Sequence, residues 1–274
     1  MLDVNDDVGN VLAGGWQTEV RRQGSVVFRS PKPQSRTVMA LLRHLRDEGF
    51  DGAPRPVGDG FAADGREQLQ YVDGTSPHPR PWTDDAAWRL GDLLRRLHVA
   101  TASFTPPVDA VWSPWFARSL SGRHPAIGHG DLGPWNILER VDGTLVAIDW
   151  DNAGPVDATW DLAQLVWLNA QLHDDDVAER AGLGPPATRA RQAVLMADGY
   201  GLHGVDRDRF VDQLLEMALR SAQNEAILAT VDPDTVSPAA DGFPILWAIA
   251  WRTRSAAWIL DHATLLRNAL GAAR

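Results

Sequence analysis

Three polar side chains stand at the borders of apolar segments within one short stretch: Asp131, Asn136 and Asp149. The stretch reads His129-Gly130-Asp131-Leu132-Gly133-Pro134-Trp135-Asn136-Ile137-Leu138 and resumes at Ala147-Ile148-Asp149-Trp150-Asp151. A carboxylate fixed in a tight Gly/Pro loop is placed to accept a proton from an incoming hydroxyl. Asn136 and Asp149 sit at the two ends of a hairpin, Asn136-Ile137-Leu138 and Leu145-Val146-Ala147-Ile148, turned by Asp142-Gly143. Their oxygens converge on one point. Hard oxygen ligands of that kind suit Mg²⁺, which takes one or two oxygens from protein and the rest from water and phosphate. A base beside a Mg²⁺ site is the minimal kit for phosphoryl transfer, where positioning and charge neutralisation do most of the catalysis.

Other readings of the same residues stand beside this one. An isolated Asp and Asn cap turns, and His124, His129, Asp131 and Asp149 form the nucleus of a metallohydrolase cluster. No His-x-x-x-His pair supports the cluster. His129 reads as a residue that braces the loop rather than as a base or ligand.

The elements that position these groups divide in character along the chain. Val8 to Ala13, Trp16 to Arg22 and Ser25 to Arg29 read as strands, turned by Gly14-Gly15 and Gly24-Ser25. Ser35 to Glu48 reads as a helix with Val38, Leu41, Leu42 and Leu45 on one face and Gly49 as its stop. A Gly/Pro/Asp-rich segment, 49–60, leads to a hairpin about Asp64-Gly65 that ends in Leu69-Gln70-Tyr71-Val72. Asp73-Gly74 and the run Pro77 to Pro81 read as a linker.

Beyond the linker the pattern is helical. Thr83 caps a helix predicted to bury Trp88, Leu90, Leu93, Leu94 and Leu97. Further helices are predicted over 161–172, 187–199, 207–229 and 244–270. Trp88, Trp167, Trp247, Trp251 and Trp258 fall on apolar helix faces and are assigned to the core. Asp174-Asp175-Asp176 reads as a solvated helix start, which favours a cationic substrate if it faces the cleft.

The spacing of the central stretch is similar to the protein-kinase catalytic loop, H-x-D-x-x-x-x-N, followed after a hairpin by a metal-binding Asp. With Trp160-Asp161-Leu162-Ala163 next in order, residues 129–163 resemble the aminoglycoside phosphotransferase and choline kinase-like family, small-molecule kinases with the protein-kinase fold. The resemblance implies an α+β, bilobal protein-kinase-like fold: a β-rich nucleotide-binding lobe over 1–73 and a larger, mainly helical catalytic and substrate-binding lobe over 74–274. It implies Asp131 as catalytic base, Asn136 and Asp149 as Mg²⁺ ligands, and Asp161 as a structural brace of the loop. Gly14 and Gly15 would turn over the phosphates, and Gln70 to Val72 would be the hinge that meets adenine. The expected cofactors are ATP and Mg²⁺, and the expected partner is a small-molecule hydroxyl acceptor.

The chain departs from the family pattern in one place. Arg29 stands where a lysine is usual, and the sole lysine, Lys32, lies between two prolines. The following helix has no glutamate in its first two turns. These departures motivate an alternative, a pseudokinase that binds nucleotide without turnover; a metal-dependent phosphohydrolase is a further one.

Composition narrows the field. With 274 residues, 44% hydrophobic, the chain has material for a sizeable core. A net charge of −10 works against phosphate backbones, so no nucleic-acid partner is expected. The absence of cysteine removes disulfides, thiolate metal sites and thiol nucleophiles. The start, MLDVNDDVGN, has no basic residue and no apolar run, and the apolar stretch Phe243 to Trp251 is too short for a bilayer. A cytoplasmic protein with no membrane partner is the expectation.

Overall fold

The computed structural model describes residues 10–11, 20–120, 122–236 and 242–272. Its amino-terminal part is a sheet with one helix on it. Strands β1 (Asn10–Val11), β2 (Val20–Gln23) and β3 (Val26–Arg29) are followed by helix α1 (Ser35–Asp47), then β4 (Pro56–Phe61) and β5 (Glu67–Gln70). Among the described residues they form a five-stranded antiparallel sheet in the order β1-β2-β3-β5-β4. Gly24, at φ 59°, supplies the left-handed turn that closes β2 onto β3. Helix α1 buries the stripe expected from its spacing: Val38, Leu41, Leu42 and Leu45 are sealed from solvent.

Strand β4 is a departure from expectation. Its sequence, Pro56-Val57-Gly58-Asp59-Gly60-Phe61, reads as loop, yet it pairs with β5 on the sheet edge. The register shifts between Pro56 and Phe61, and two glycines with positive φ lie inside the shift. A bulged edge strand carries no clean alternation, so periodicity could not reveal it.

The rest of the chain is helical around two small ribbons. Helix α2 (Asp84–Thr101) starts at Thr83, whose hydroxyl accepts from the Ala86 N–H at 3.2 Å. Leu90, Leu93, Leu94 and Leu97 form its buried stripe, but Trp88 is 45% exposed. Trp88 lies about 200° round the helix from Leu90 at about 100° per residue, so the stripe cannot include it. Close contact with the later helix over Pro186–Tyr200 depends on Gly91, where a Cβ would meet the Met196 carbonyl at 1.9 Å.

Strands β6 (Pro125–Gly128) and β9 (Gly154–Asp157) pair with each other, as do β7 (Ile137–Glu139) and β8 (Leu145–Ala147). Helix α3 (Ala158–Asn169) is buried along its whole length. Asp157 caps it through the Thr159 N–H at 2.9 Å, so Asp161 lies within its first turn rather than opening it.

Helices α4 (Asp175–Arg180), α5 (Pro186–Tyr200), α6 (Gly204–Leu228), α7 (Ile245–Asp261) and α8 (Ala263–Ala272) complete the described chain. The single helix expected over 244–270 is broken at His262, whose ring and backbone N–H both engage the Trp258 carbonyl. Trp167 and Trp258 are core residues as expected, whereas Trp247 is 45% exposed. Among the described residues no helix is long and apolar enough to cross a membrane.

Candidate active site

The site is assembled by the β7–β8 hairpin and the loop that precedes it. Pairing of Ile137 with Ala147 sets the register, and the Ile148 N–H donates to the Asn136 carbonyl at 2.8 Å. Asn136 and Asp149 are thereby brought to the same end of the ribbon. Asp131 joins them through its neighbour: the Asn136 amide N–H donates to the Asp131 carboxylate at 2.9 Å and to its backbone carbonyl at 3.0 Å. The amide oxygen of Asn136 is left facing away from that donor group. Burial and the nearby Asp149 carboxylate push the Asp131 pKa up to about 7, against the Asn136 hydrogen bond and the Arg252 charge. That is the range in which a carboxylate is an effective proton acceptor.

The loop that carries Asp131 is held from behind. Asp161, fully buried, accepts from the N–H groups of His129 at 3.1 Å and Gly130 at 3.2 Å, and its ring partner His98 lies at 3.2 Å. Burial works against the charge on Asp161, but the His98 and His129 contacts outweigh it and hold the carboxyl below the usual range. His129 braces the other side. Its Nδ1 accepts from the Asp131 N–H at 3.3 Å, which leaves the proton on Nε2 to donate to the Ile148 carbonyl at 3.1 Å. Burial pulls the His129 pKa down to about 4, so the ring is neutral. Gly130 makes this possible: at φ 78°, a Cβ there would meet the Asn152 carbonyl at 2.3 Å.

Arg29 reaches the same site from β3. Its guanidinium is bonded to Glu67, lies 2.7 Å from Asp151 and 3.3 Å from Asp149. Burial opposes its charge, but Asp151, Glu67 and Asp149 together raise its pKa further. The partner sought on the helix comes from the neighbouring strand, because β3–β5 pairing sets Arg29 opposite Glu67. Helix α1 still contributes, since the Ser35 hydroxyl donates to Glu67. Lys32 joins through Asp151 at 2.6 Å. Asp149 itself is in the left-handed region, φ 59°, with half of its side chain open. Burial and Asp151 raise its pKa despite Arg29 and Lys32, whereas the same two cations keep Asp151 low against burial.

The remaining sequence candidates lie elsewhere. Gly14 and Gly15 fall outside the described residues. Gln70 ends β5 with its N–H given to the Arg55 carbonyl at 2.8 Å, and Val72 is buried where the chain leaves the sheet. The acidic run is not free: Asp174 lies 2.7 Å from Arg254, which also holds Asp176, and Asp175 lies 2.6 Å from Arg189. Residues not singled out from the sequence are Glu67, Asp151, His98 and Arg252. Asp151 had a local signal, two positions past Asp149; Glu67 had none, because only sheet register brings it to Arg29.

Among the described residues no group of three or more His, Asp or Glu side chains is arranged to hold a metal ion alone. A Mg²⁺ ion shared with phosphates needs only one or two protein oxygens, and Asn136 and Asp149 offer such a pair at one end of the ribbon.

A model of the phosphotransferase enzyme family matches residues 107–195, which span this segment. The chain is 49% identical over 267 residues to the trifolitoxin immunity protein of Rhizobium leguminosarum bv. trifolii, covering 97% of this chain and 100% of that one. Its fold is similar to a choline/ethanolamine kinase family protein from Mesorhizobium loti, with TM-score 0.61 and 17% identity over 96% of this chain and 92% of that one. It is also similar to the amicoumacin kinase hAmiN, with TM-score 0.63 and 17% identity over 92% and 88% of the two chains. With near-complete coverage by a relative at 49% identity, and the family match lying over the braced loop, the chain belongs to the phosphotransferase enzyme family, and its α+β fold is that of small-molecule kinases.

Proposed function

We propose that this chain is a kinase that uses ATP and Mg²⁺ to phosphorylate a hydroxyl of a small molecule, with residues 1–73 serving the nucleotide and 74–274 serving catalysis and the acceptor. The observation that carries the reading is the Asp131 carboxylate, bonded to Asn136 at 2.9 Å and facing Asp149. In this reading Asp131 takes the proton of the acceptor hydroxyl as its oxygen bonds to the γ-phosphorus. The bond between that phosphorus and the β,γ-bridging oxygen breaks, and ADP leaves. Asn136 and Asp149 would hold Mg²⁺, which neutralises charge on the phosphates. Arg29 faces the same phosphates in place of a lysine, and the backbone about Val72 borders the base of the nucleotide. The immunity named for the 49% identical relative fits a toxic small molecule inactivated by phosphorylation.

A second reading, nucleotide binding without turnover, is favoured by Arg29, whose fork is already engaged by Glu67, Asp151 and Asp149. Calorimetry separates the two when followed by an acceptor assay. Mg·ATP binds the wild type, and Asp149→Asn weakens it about tenfold or more while melting normally. Equal affinity in the folded variant removes Asp149 from the site. Binding with no transfer to any hydroxyl compound leaves the second reading standing.

A further inference from the structure

The Asp131 loop is gripped a second time, from the far end of α3. Its consecutive carbonyls, Asp131 to Pro134, each accept a hydrogen bond. Those of Asp131 and Gly133 are met from within the loop, by the Asn136 side-chain amide at 3.0 Å and the Asn136 backbone N–H at 2.9 Å. The other two are met from outside. Leu132 accepts from the Asn169 side chain at 2.7 Å, and Pro134 accepts from the Ser76 hydroxyl at 2.6 Å. Asp161 already holds the N–H groups of His129 and Gly130, so α3 supplies one grip before Asp131 and another after it.

Asn169 is locked for this contact. It is the last residue of α3, sealed from solvent, and lies about 12 Å along the helix axis from Asp161. Its amide has one orientation that satisfies every neighbour. The Trp82 indole N–H can only donate, and it donates to Asn169 Oδ1 at 3.0 Å. The carbonyls of Leu132 and Leu165 can only accept, and they take the two amide protons at 2.7 and 2.8 Å. Turned over, the amide would set its oxygen against two carbonyls and its protons against an N–H. A buried donor held from three sides fixes the carbonyl it meets, because leaving that carbonyl unpaired is costly.

Resting on the kinase reading, we propose that Asn169 is a positioning residue for Asp131. It fixes the backbone just after the base, as Asp161 fixes it just before, so that the carboxylate meets the acceptor hydroxyl in one place. Without the second grip the site keeps every reacting group and loses the aim of its base.

The test follows ADP formation from Mg·ATP by the full chain, with water, glycerol and ethanolamine as hydroxyl probes. Asn169→Leu removes both donors. Asn169→Ser is the gentler variant, since its hydroxyl still serves the Leu165 carbonyl four residues back but is one bond too short for Leu132. Each lowers turnover roughly tenfold to a hundredfold, the cost of a misplaced reacting group. The KM for Mg·ATP and the calorimetric affinity for Mg·AMP-PNP stay within about twofold, which also reports an intact fold. In the Asp131→Asn background the same substitutions cost no further rate, because the group they aim is gone. Wild-type turnover in a folded Asn169 variant overturns the proposal. So does an equal loss in the Asp131→Asn background, or a loss confined to the KM for Mg·ATP. No ADP formation by the wild type with any of the three probes is a different result: it sinks the kinase reading, and this inference with it.

Discussion

Two regions of the site are built on different principles. The loop about Asp131 is held by short-range geometry: a neutral imidazole, a buried carboxylate and a left-handed glycine fix its backbone, and few net charges face one another. The region about Arg29 is held by charge, with one guanidinium, one ammonium and the carboxylates of Glu67, Asp149 and Asp151 meeting from a sheet, a loop and a ribbon end. The first positions a base and has little freedom to rearrange. The second is a network whose bonds could be exchanged for those of an incoming polyanion, because most of its members are ions. In the proposed kinase, rigidity would be concentrated where a proton moves, and adaptability where a polyanion binds.

The contrast is broken most severely at the base. Asp131→Asn keeps the Asn136 contact and the fold but removes the proton acceptor, so turnover falls roughly a hundredfold to ten-thousandfold with Mg·ATP affinity unchanged. Steady-state rates beside a calorimetric titration check this; equal rates would take Asp131 out of the chemistry.

Acid attacks the geometric region next. His129 is buried in the loop and His173, outside it, is buried beside Trp251 at 4.7 Å, and burial lowers their pKa values to about 4 and about 3 from 6.5. As pH falls the unfolded chain takes up these protons first, so their contribution is complete above about 6.5 and is lost as pH falls toward the folded values. Between pH 7 and pH 5 each costs on the order of 2 kcal/mol of stability. Thermal melts at the two pH values read the loss, and identical transitions would show that neither ring is kept neutral.

The smallest expected effect sharpens the other side. Glu67→Gln removes one ion from the Arg29 network and leaves Asp149 and Asp151 in place. Mg·ATP affinity drops about tenfold, with turnover at saturation little changed. Combining it with Arg29→Lys gives less than the sum of the two losses, since an ammonium cannot serve all three carboxylates as the fork does. Strictly additive losses would mean that Arg29 and Glu67 act separately.

This division also governs what the sequence made readable. Asp131, Asn136 and Asp149 sit on consecutive elements with short connections, so their spacing alone pointed to one place, whereas Asp161 was legible only through the family resemblance. The helix stripe of α1 was equally plain. Glu67 was not, because its meeting with Arg29 depends on which strand inserts beside β3, and that is a property of the whole sheet. Strand β4 hid behind two glycines in a bulge. Arg252 lies far along the chain from the loop whose Asp131 carboxylate feels its charge, on a helix whose apolar pattern gives no sign of that interaction.

The sole lysine has one more consequence. Lys32 is bound to Asp151 at 2.6 Å with 31% of its side chain open, at the edge of the Arg29 network. Apart from the α-amino group, an amine-selective reagent therefore finds a single target in the entire chain. The protein carries its own addressable reporter, and a label or mass tag at Lys32 would register changes in that network without any engineering of the sequence.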